Sequence, residues 1–409
     1  NVVPINVAFS GFANATIVML AAFMAVIAAL QKTDLVTGFK QMISRMATKG
    51  GFKAYVLIIV FVMLGCSIFG TGSTAYYVLV IGLLSTLAYN KKLPPSKLLM
   101  PAGFASNHPM LPFNVALQYG IVVAVLEAAG VDERVDLVKF SIVNLILSLG
   151  FLIWCLIAYR SLPDHPIDDE PEADGAGGAS SGDGASRGGA ASAASAATAT
   201  AVASAPALTK RQQTATYASF AIAVFGMIAY SYIGDAGCAI TGLSVVVLLA
   251  MKVLNFTEIR DAISQPIILM SAGVIGVAAA LGETGLTHLV GETVAGFLGG
   301  NVSPFLLVFA FCILTSLLAT LTGSTIGTVY VFAPLAIATC VGLGLDPTAA
   351  AVAIVISGWN GHFLPIDGLP AMIMGVGKYS LWQFWKFTIP MYFIRLLALS
   401  AGALLLFPM

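Results

Sequence analysis

Two four-residue runs carry the chemistry open to this chain: Thr71-Gly72-Ser73-Thr74 and Thr322-Gly323-Ser324-Thr325. Each interrupts a long apolar run that then resumes. Glycine permits a tight turn and a close backbone approach. The segment that follows can begin a half-helix, whose free N–H groups and dipole present roughly half a positive charge at the break. An anion, a carboxylate above all, is stabilised there without a cationic side chain. The hydroxyls of Ser73, Thr74, Ser324 and Thr325 can donate to an anion or accept a cation. Gly72, Ser73, Thr74, Gly323, Ser324 and Thr325 are therefore the candidate substrate-binding residues, with Thr71 and Thr322 beside them as candidate cation ligands. The competing reading of either tip is that small residues simply let helices pack closely. Two tips in register favour a binding role, and suit an elongated dianion or one solute with adjacent cations.

A second pair of motifs follows the tips. The first is Ser106-Asn107-His108-Pro109-Met110-Leu111-Pro112-Phe113-Asn114. Its counterpart is Ser357-Gly358-Trp359-Asn360-Gly361-His362-Phe363-Leu364-Pro365-Ile366-Asp367-Gly368. Proline removes a donor and breaks a helix, which frees carbonyls. Freed carbonyls with amide or carboxylate oxygens are what a sodium site uses at an unwound helix. Asn107, Asn114, Asn360 and Asp367 are the candidates for cation binding or coupling. Asp367 can alternatively carry a proton, and His108 and His362 can titrate near neutral pH. A solvated loop nearer the interface is the alternative. Two histidines and one aspartate, far apart in sequence, do not argue for a metal site.

The elements that must position these motifs are membrane helices. The 409 residues are 58% hydrophobic and 9% charged, against about a quarter charged in a soluble domain. The apolar residues fall in blocks long enough to span a bilayer. The formal net charge is zero, so no nucleic-acid footprint is visible. Cys66, Cys155, Cys238, Cys312 and Cys340 lie in apolar runs without a CxxC pair and read as small packing residues. Helices are expected near 6–30, 136–159, 214–233, 236–254, 262–282 and 381–407. Residues 36–49 have the spacing of an amphipathic helix at the interface. Residues 163–209 become almost pure Ala, Gly and Ser and cannot bury enough apolar surface to fold.

The chain repeats. The two tips stand 251 residues apart, and the same offset pairs Thr33 with Thr284, Met19 with Met270 and Ser106 with Ser357. Such repeats mark many secondary transporters. The expected fold is an all-α polytopic membrane protein of two inverted-topology repeats, each with a re-entrant hairpin and a discontinuous helix. The first repeat covers 1–160: a helix, an interfacial helix, a hairpin over 52–91, a discontinuous helix over 95–130 and a helix over 136–160. A disordered cytoplasmic linker covers 161–213. The second repeat covers 214–409: two helices, a helix over 262–282, a hairpin over 302–345, a discontinuous helix over 347–377 and a helix over 381–407. On this topology 16 of the 19 basic residues fall on one side, which the positive-inside rule makes cytoplasmic, with the C-terminus outside. Arg395 alone is left inside a span, either snorkelling or facing the bundle. Two helices precede the second repeat unit and none precedes the first, so upstream helices are expected to be missing.

The stretch from Phe363 to Ser380, with Leu364-Pro365-Ile366-Asp367-Gly368, resembles the divalent anion:sodium symporter family of the ion transporter superfamily. The tips occupy the positions of that family's paired Ser-Asn-Thr motifs, with Gly-Ser-Thr in their place. Asp367, Leu369 and Ala371 stand where the family has Gly, Pro and Asn. The resemblance implies tips that contact a carboxylate and flanking sodium ions, a homodimer, and an elevator-like transport domain. It also implies three helices ahead of the first one present. The expected function is secondary active transport of di- or tricarboxylate-like anions in the plasma (bacterial inner) membrane, with sodium as coupling ion and no cofactor. The expected partners are the anionic solute, the bilayer and a second copy, and no nucleic acid. The alternatives are a sodium/proton antiporter or inorganic anion permease of the same superfamily, and a non-transporting membrane sensor. An enzyme using Ser, His and Asp is not expected.

Overall fold

The computed structural model describes residues 2–87, 89–111, 116–131, 135–167, 208–264 and 303–409, with scattered positions from 268 to 293. A single turn at Ile5–Ala8 precedes α1 (Ala15–Leu30), α2 (Leu35–Lys49), α3 (Gly51–Phe69), α4 (Thr74–Ser85), α5 (Pro95–Ala105), α6 (Ala116–Ala128) and α7 (Leu137–Ala158). After the Ala/Gly/Ser segment come α8 (Lys210–Ile233), α9 (Asp235–Ala250) and α10 (Phe256–Ile263). The second set is α11 (Pro304–Thr322), α12 (Thr325–Gly342), α13 (Thr348–Ser357), α14 (Gly368–Val376) and α15 (Leu381–Leu406). Among the described residues five helices are long and apolar enough to cross a membrane, namely α3, α7, α11, α12 and α15.

Shifted by the repeat offset, α3, α4, α5, α6 and α7 fall on α11, α12, α13, α14 and α15. The equivalent helices α7 and α15 pack against each other and run antiparallel. Trp154, late in α7, donates to the carbonyl of Phe387, early in α15, at 3.0 Å. At the opposite end, Lys139 lies over the ring of Phe407. Equivalent elements that run in opposite directions are what an inverted repeat requires. The broken helices exchange partners accordingly. α5 packs on α14, and α13 packs on α6.

The expected helix over 6–30 is interrupted. The chain turns at Ser10–Ala13 in a 3-10 segment, and α1 starts only after Asn14, whose side-chain oxygen accepts from Ile17 N at 3.2 Å. An Asx cap of this kind competes with helix continuation. The expected span over 262–282 lies mostly outside the described residues, as do residues 168–207 of the expected linker over 161–213; at its two ends Ile167 is buried, His165 N donates to Ser96 Oγ at 2.9 Å, and Lys210 opens α8. α2 leaves the line of α1 by 61°. It buries Phe39, Ile43 and Ala47 and leaves Met42 exposed.

Two apolar cores result. One gathers α2 to α5, α14, the late part of α7 and the early part of α15. The other gathers α1, α6, α8 to α13 and the opposite ends of α7 and α15. Large apolar side chains such as Phe225, Tyr232, Trp382 and Leu405 are exposed, as befits a surface solvated by lipid.

Candidate functional site

The first tip is built on glycine. α3 ends where Gly70 adopts φ +97°, and Gly72 follows at φ +77°. Only glycine holds such angles without strain. α4 then begins at Thr74, and Ser73 precedes it in extended conformation without a side-chain cap hydrogen bond. The first N–H groups of α4 are thus not capped by Ser73. The second tip repeats the device. Gly323 stands at φ +64°, and Ser324 precedes α12, again without a side-chain cap hydrogen bond. Neither serine caps the helix it precedes with its own side chain, which leaves its hydroxyl for an anion at the helix N-terminus.

Asn107 joins the first tip to both breaks. Its Oδ1 accepts from Gly72 N at 2.8 Å, and its Nδ2 donates to Trp359 O at 3.1 Å. The side chain is buried. Gly72 also lies under the indole of Trp359, so close that a Cβ on Gly72 would meet Trp359 Nε1 at 2.8 Å. One amide therefore fixes three segments: the tip of the first hairpin, the end of α5 and the end of α13. The chain after the first break is held by Ser67 of α3, whose hydroxyl accepts from Met110 N and Leu111 N, each at 2.9 Å.

The second break packs against the second hairpin through glycines. A Cβ on Gly358 would press on Val329 and Thr325 of α12, and one on Gly361 would collide with Thr320 and Ser316 of α11. Two candidates are engaged locally. Thr322 Oγ1 donates to Leu318 O at 2.7 Å and accepts from Ser324 N at 3.3 Å. Asn360 Nδ2 donates to Ile356 O at 2.7 Å. Thr71 is buried. Asn114 lies outside the described residues.

Asp367 is the N-cap of α14 and accepts from Gly368 N at 2.7 Å. Its second oxygen lies 3.7 Å from Nε2 of His362. His362 sits at φ +46°, the left-handed region, at the turn out of the second break. Tyr77 of α4 closes over this cap, its hydroxyl 2.9 Å from where a Cβ on Gly368 would stand. His108 is enclosed differently. Its ring stacks on Phe151 at 4.0 Å between centroids. Its Nδ1 donates to Phe104 O at 2.7 Å, and its Nε2 accepts from Arg395 Nη1 at 3.2 Å. Arg395 Nη2 donates to Asn360 O at 2.7 Å. Arg395 is wholly buried and faces the bundle. It is the residue sequence alone left unassigned; the signal was a cation in the middle of an apolar helix.

Apolar helices around paired polar tips and paired breaks define the class, a polytopic integral membrane protein. The family follows from the sequence. The profile of the citrate transporter family (CitMHS) matches residues 1–357, and the chain belongs to that family. The chain is similar in fold to the YdaH transporter of Alcanivorax borkumensis, with a TM-score of 0.64 and 17% identity over 97% of this chain and 86% of that one. It is similar also to MtrF of Neisseria gonorrhoeae, described as one of a class of antimetabolite efflux pumps. There the TM-score is 0.60 and the identity 14%, over 97% of this chain and 81% of that one. No curated protein sequence matches the chain. Membership of a transporter family makes the chain a membrane transporter and not an enzyme.

Proposed function

We propose that this protein is a secondary active transporter of small di- or tricarboxylate anions, coupled to sodium, with its substrate held between the two Thr-Gly-Ser-Thr tips. Membership of the citrate transporter family supports the substrate class. The observation that carries the site is the Asn107 bridge, which brings the Gly72 tip together with both breaks. The N-termini of α4 and α12, whose N-cap serines make no side-chain cap hydrogen bond, supply positive potential for carboxylates. The hydroxyls of Ser73 and Ser324 supply donors. Sodium is assigned to the tip and break oxygens, with the linker side cytoplasmic in a bacterial inner membrane. By analogy with the divalent anion:sodium symporters, the first tip and breaks move as part of an elevator domain within a homodimer.

A second reading replaces sodium by a proton. It is favoured by the approach of His362 to Asp367, a carboxylate and an imidazole at 3.7 Å beside the second break. Thermal unfolding of the purified protein across citrate, shorter dicarboxylates, sulfate, sodium and lithium separates the readings. The sodium-coupled reading expects a carboxylate and sodium each to strengthen the other's stabilisation. Stabilisation by carboxylate alone, growing as pH falls, selects the proton. No stabilisation by any carboxylate removes both.

A further inference from the structure

Arg395 lies near the middle of α15 and is 0% exposed. Desolvating a guanidinium is among the largest costs a membrane helix can carry. A carboxylate normally offsets it, yet among the described residues Arg395 forms no ion pair. Among the described residues its Nε has no hydrogen-bond partner. Its two contacts are of another kind. Nη2 meets the carbonyl of Asn360, the last residue of the 3-10 turn that continues α13. Nη1 meets His108, whose ring is seated by the carbonyl of Phe104 in the last turn of α5. Both contacts therefore lead to the carbonyl end of a broken helix.

The charges close on this arrangement. Each helix C-terminus carries roughly half a negative charge. Two of them converge on one guanidinium, so about −1 faces +1 with no acidic side chain. We propose that Arg395 is a tethered cation. It occupies permanently the place where the carbonyl ends of the two broken helices would otherwise take up a free monovalent cation.

Two consequences follow. The carbonyls of Asn360 and Phe104 are already engaged, by Arg395 and by His108, so a coupling ion is left to the tip oxygens and the remaining break oxygens. The positive N-terminal ends of α4 and α12 keep their full potential for an anion, because the opposing negative ends are neutralised within the protein. The inference does not depend on which solute is carried.

Substitution with cation rescue tests it. R395A leaves a guanidinium-sized space between the carbonyl of Asn360 and Nε2 of His108. Low-millimolar guanidinium or methylguanidinium is expected to raise the melting temperature of purified R395A by several degrees and to leave the wild type unmoved. R395K, which keeps a charge, is expected to fold and melt above R395M, which keeps the stem without one. If R395A cannot be purified, the Lys and Met variants decide: folding of Lys but not Met supports the assignment. The assignment is overturned if R395M melts like the wild type, if guanidinium does nothing for folded R395A, or if Lys and Met fail alike.

Discussion

Replacing Asn107 by alanine removes one side chain that serves two backbone groups. The two losses differ in size. Trp359 is buried, so its carbonyl loses its donor where water does not replace it. An unsatisfied buried acceptor costs about 1–3 kcal/mol. Gly72 is exposed, so its N–H turns to water and forfeits only the net value of one hydrogen bond, about 1 kcal/mol. The sum is about 2–4 kcal/mol, all of it acting on the junction between the first tip and the breaks. At 1.4 kcal/mol per decade, local opening of the tip becomes about 30- to 700-fold more frequent. Amide exchange of the segment from Gly70 to Tyr76, followed by mass spectrometry in detergent or nanodiscs, reads this directly. N107D restores an acceptor for Gly72 N but places a carboxylate against Trp359 O, so it recovers at most the smaller share. Exchange in N107A within a few-fold of the wild type would falsify the bridging role.

The tips themselves differ in what a methyl group would meet. G323A pays only the positive φ, about 1 kcal/mol, because nothing lies within 4 Å of the new Cβ. G72A adds a collision with Trp359 and should lower the melting temperature by clearly more than G323A; equal shifts would contradict the contact. D367N keeps an N-cap acceptor for Gly368 N, so stability should stay within about 0.5 kcal/mol. A changed ion dependence of uptake in D367N then reports on coupling, and an unchanged one removes Asp367 from it. On the cytoplasmic side of the expected topology, Lys32 and Glu258 pair at 2.5 Å. Burial pulls the Glu258 carboxyl up, but the hydrogen bonds from Lys32 and from Asn255 N outweigh it and hold the group below its ordinary value. Its stabilisation is therefore present above the unfolded carboxylate pKa and lost as pH falls through the depressed folded one. The pair is partly exposed, so E258Q should cost less than about 1 kcal/mol at neutral pH and remove that acid sensitivity in pH-dependent unfolding.

Much of the frame was legible because its signals are local. Thr-Gly-Ser-Thr breaks an apolar run in the same way wherever it stands, and both tips fall between helices as the spacing predicts. The starts of α7 and α15 lie within one residue of expectation, since Asp136 and Ser380 are strong N-caps. Asp367 before Gly368-Leu369-Pro370 is likewise a helix-start pattern, and that signal could have identified it as a cap. The break at Asn14 was hidden because apolar residues continue on both sides of it. What sequence could not supply is partnership across the fold. Asn107 contacts Gly72 and Trp359, 35 and 252 residues away. Arg395 contacts Asn360 and His108, 35 and 287 residues away. A lone arginine in an apolar helix announces that a partner exists and says nothing of which.

The central claim is that carboxylate anions bind between the two tips and are carried across the membrane. Uptake of radiolabelled citrate into proteoliposomes under an inward sodium gradient, compared between the wild type and the S73A/S324A double variant, tests it most directly. Sodium-dependent accumulation is expected of the wild type, and its loss in a double variant that remains folded. Equal uptake by both proteins, or none by the wild type with any di- or tricarboxylate under either a sodium or a proton gradient, would contradict it.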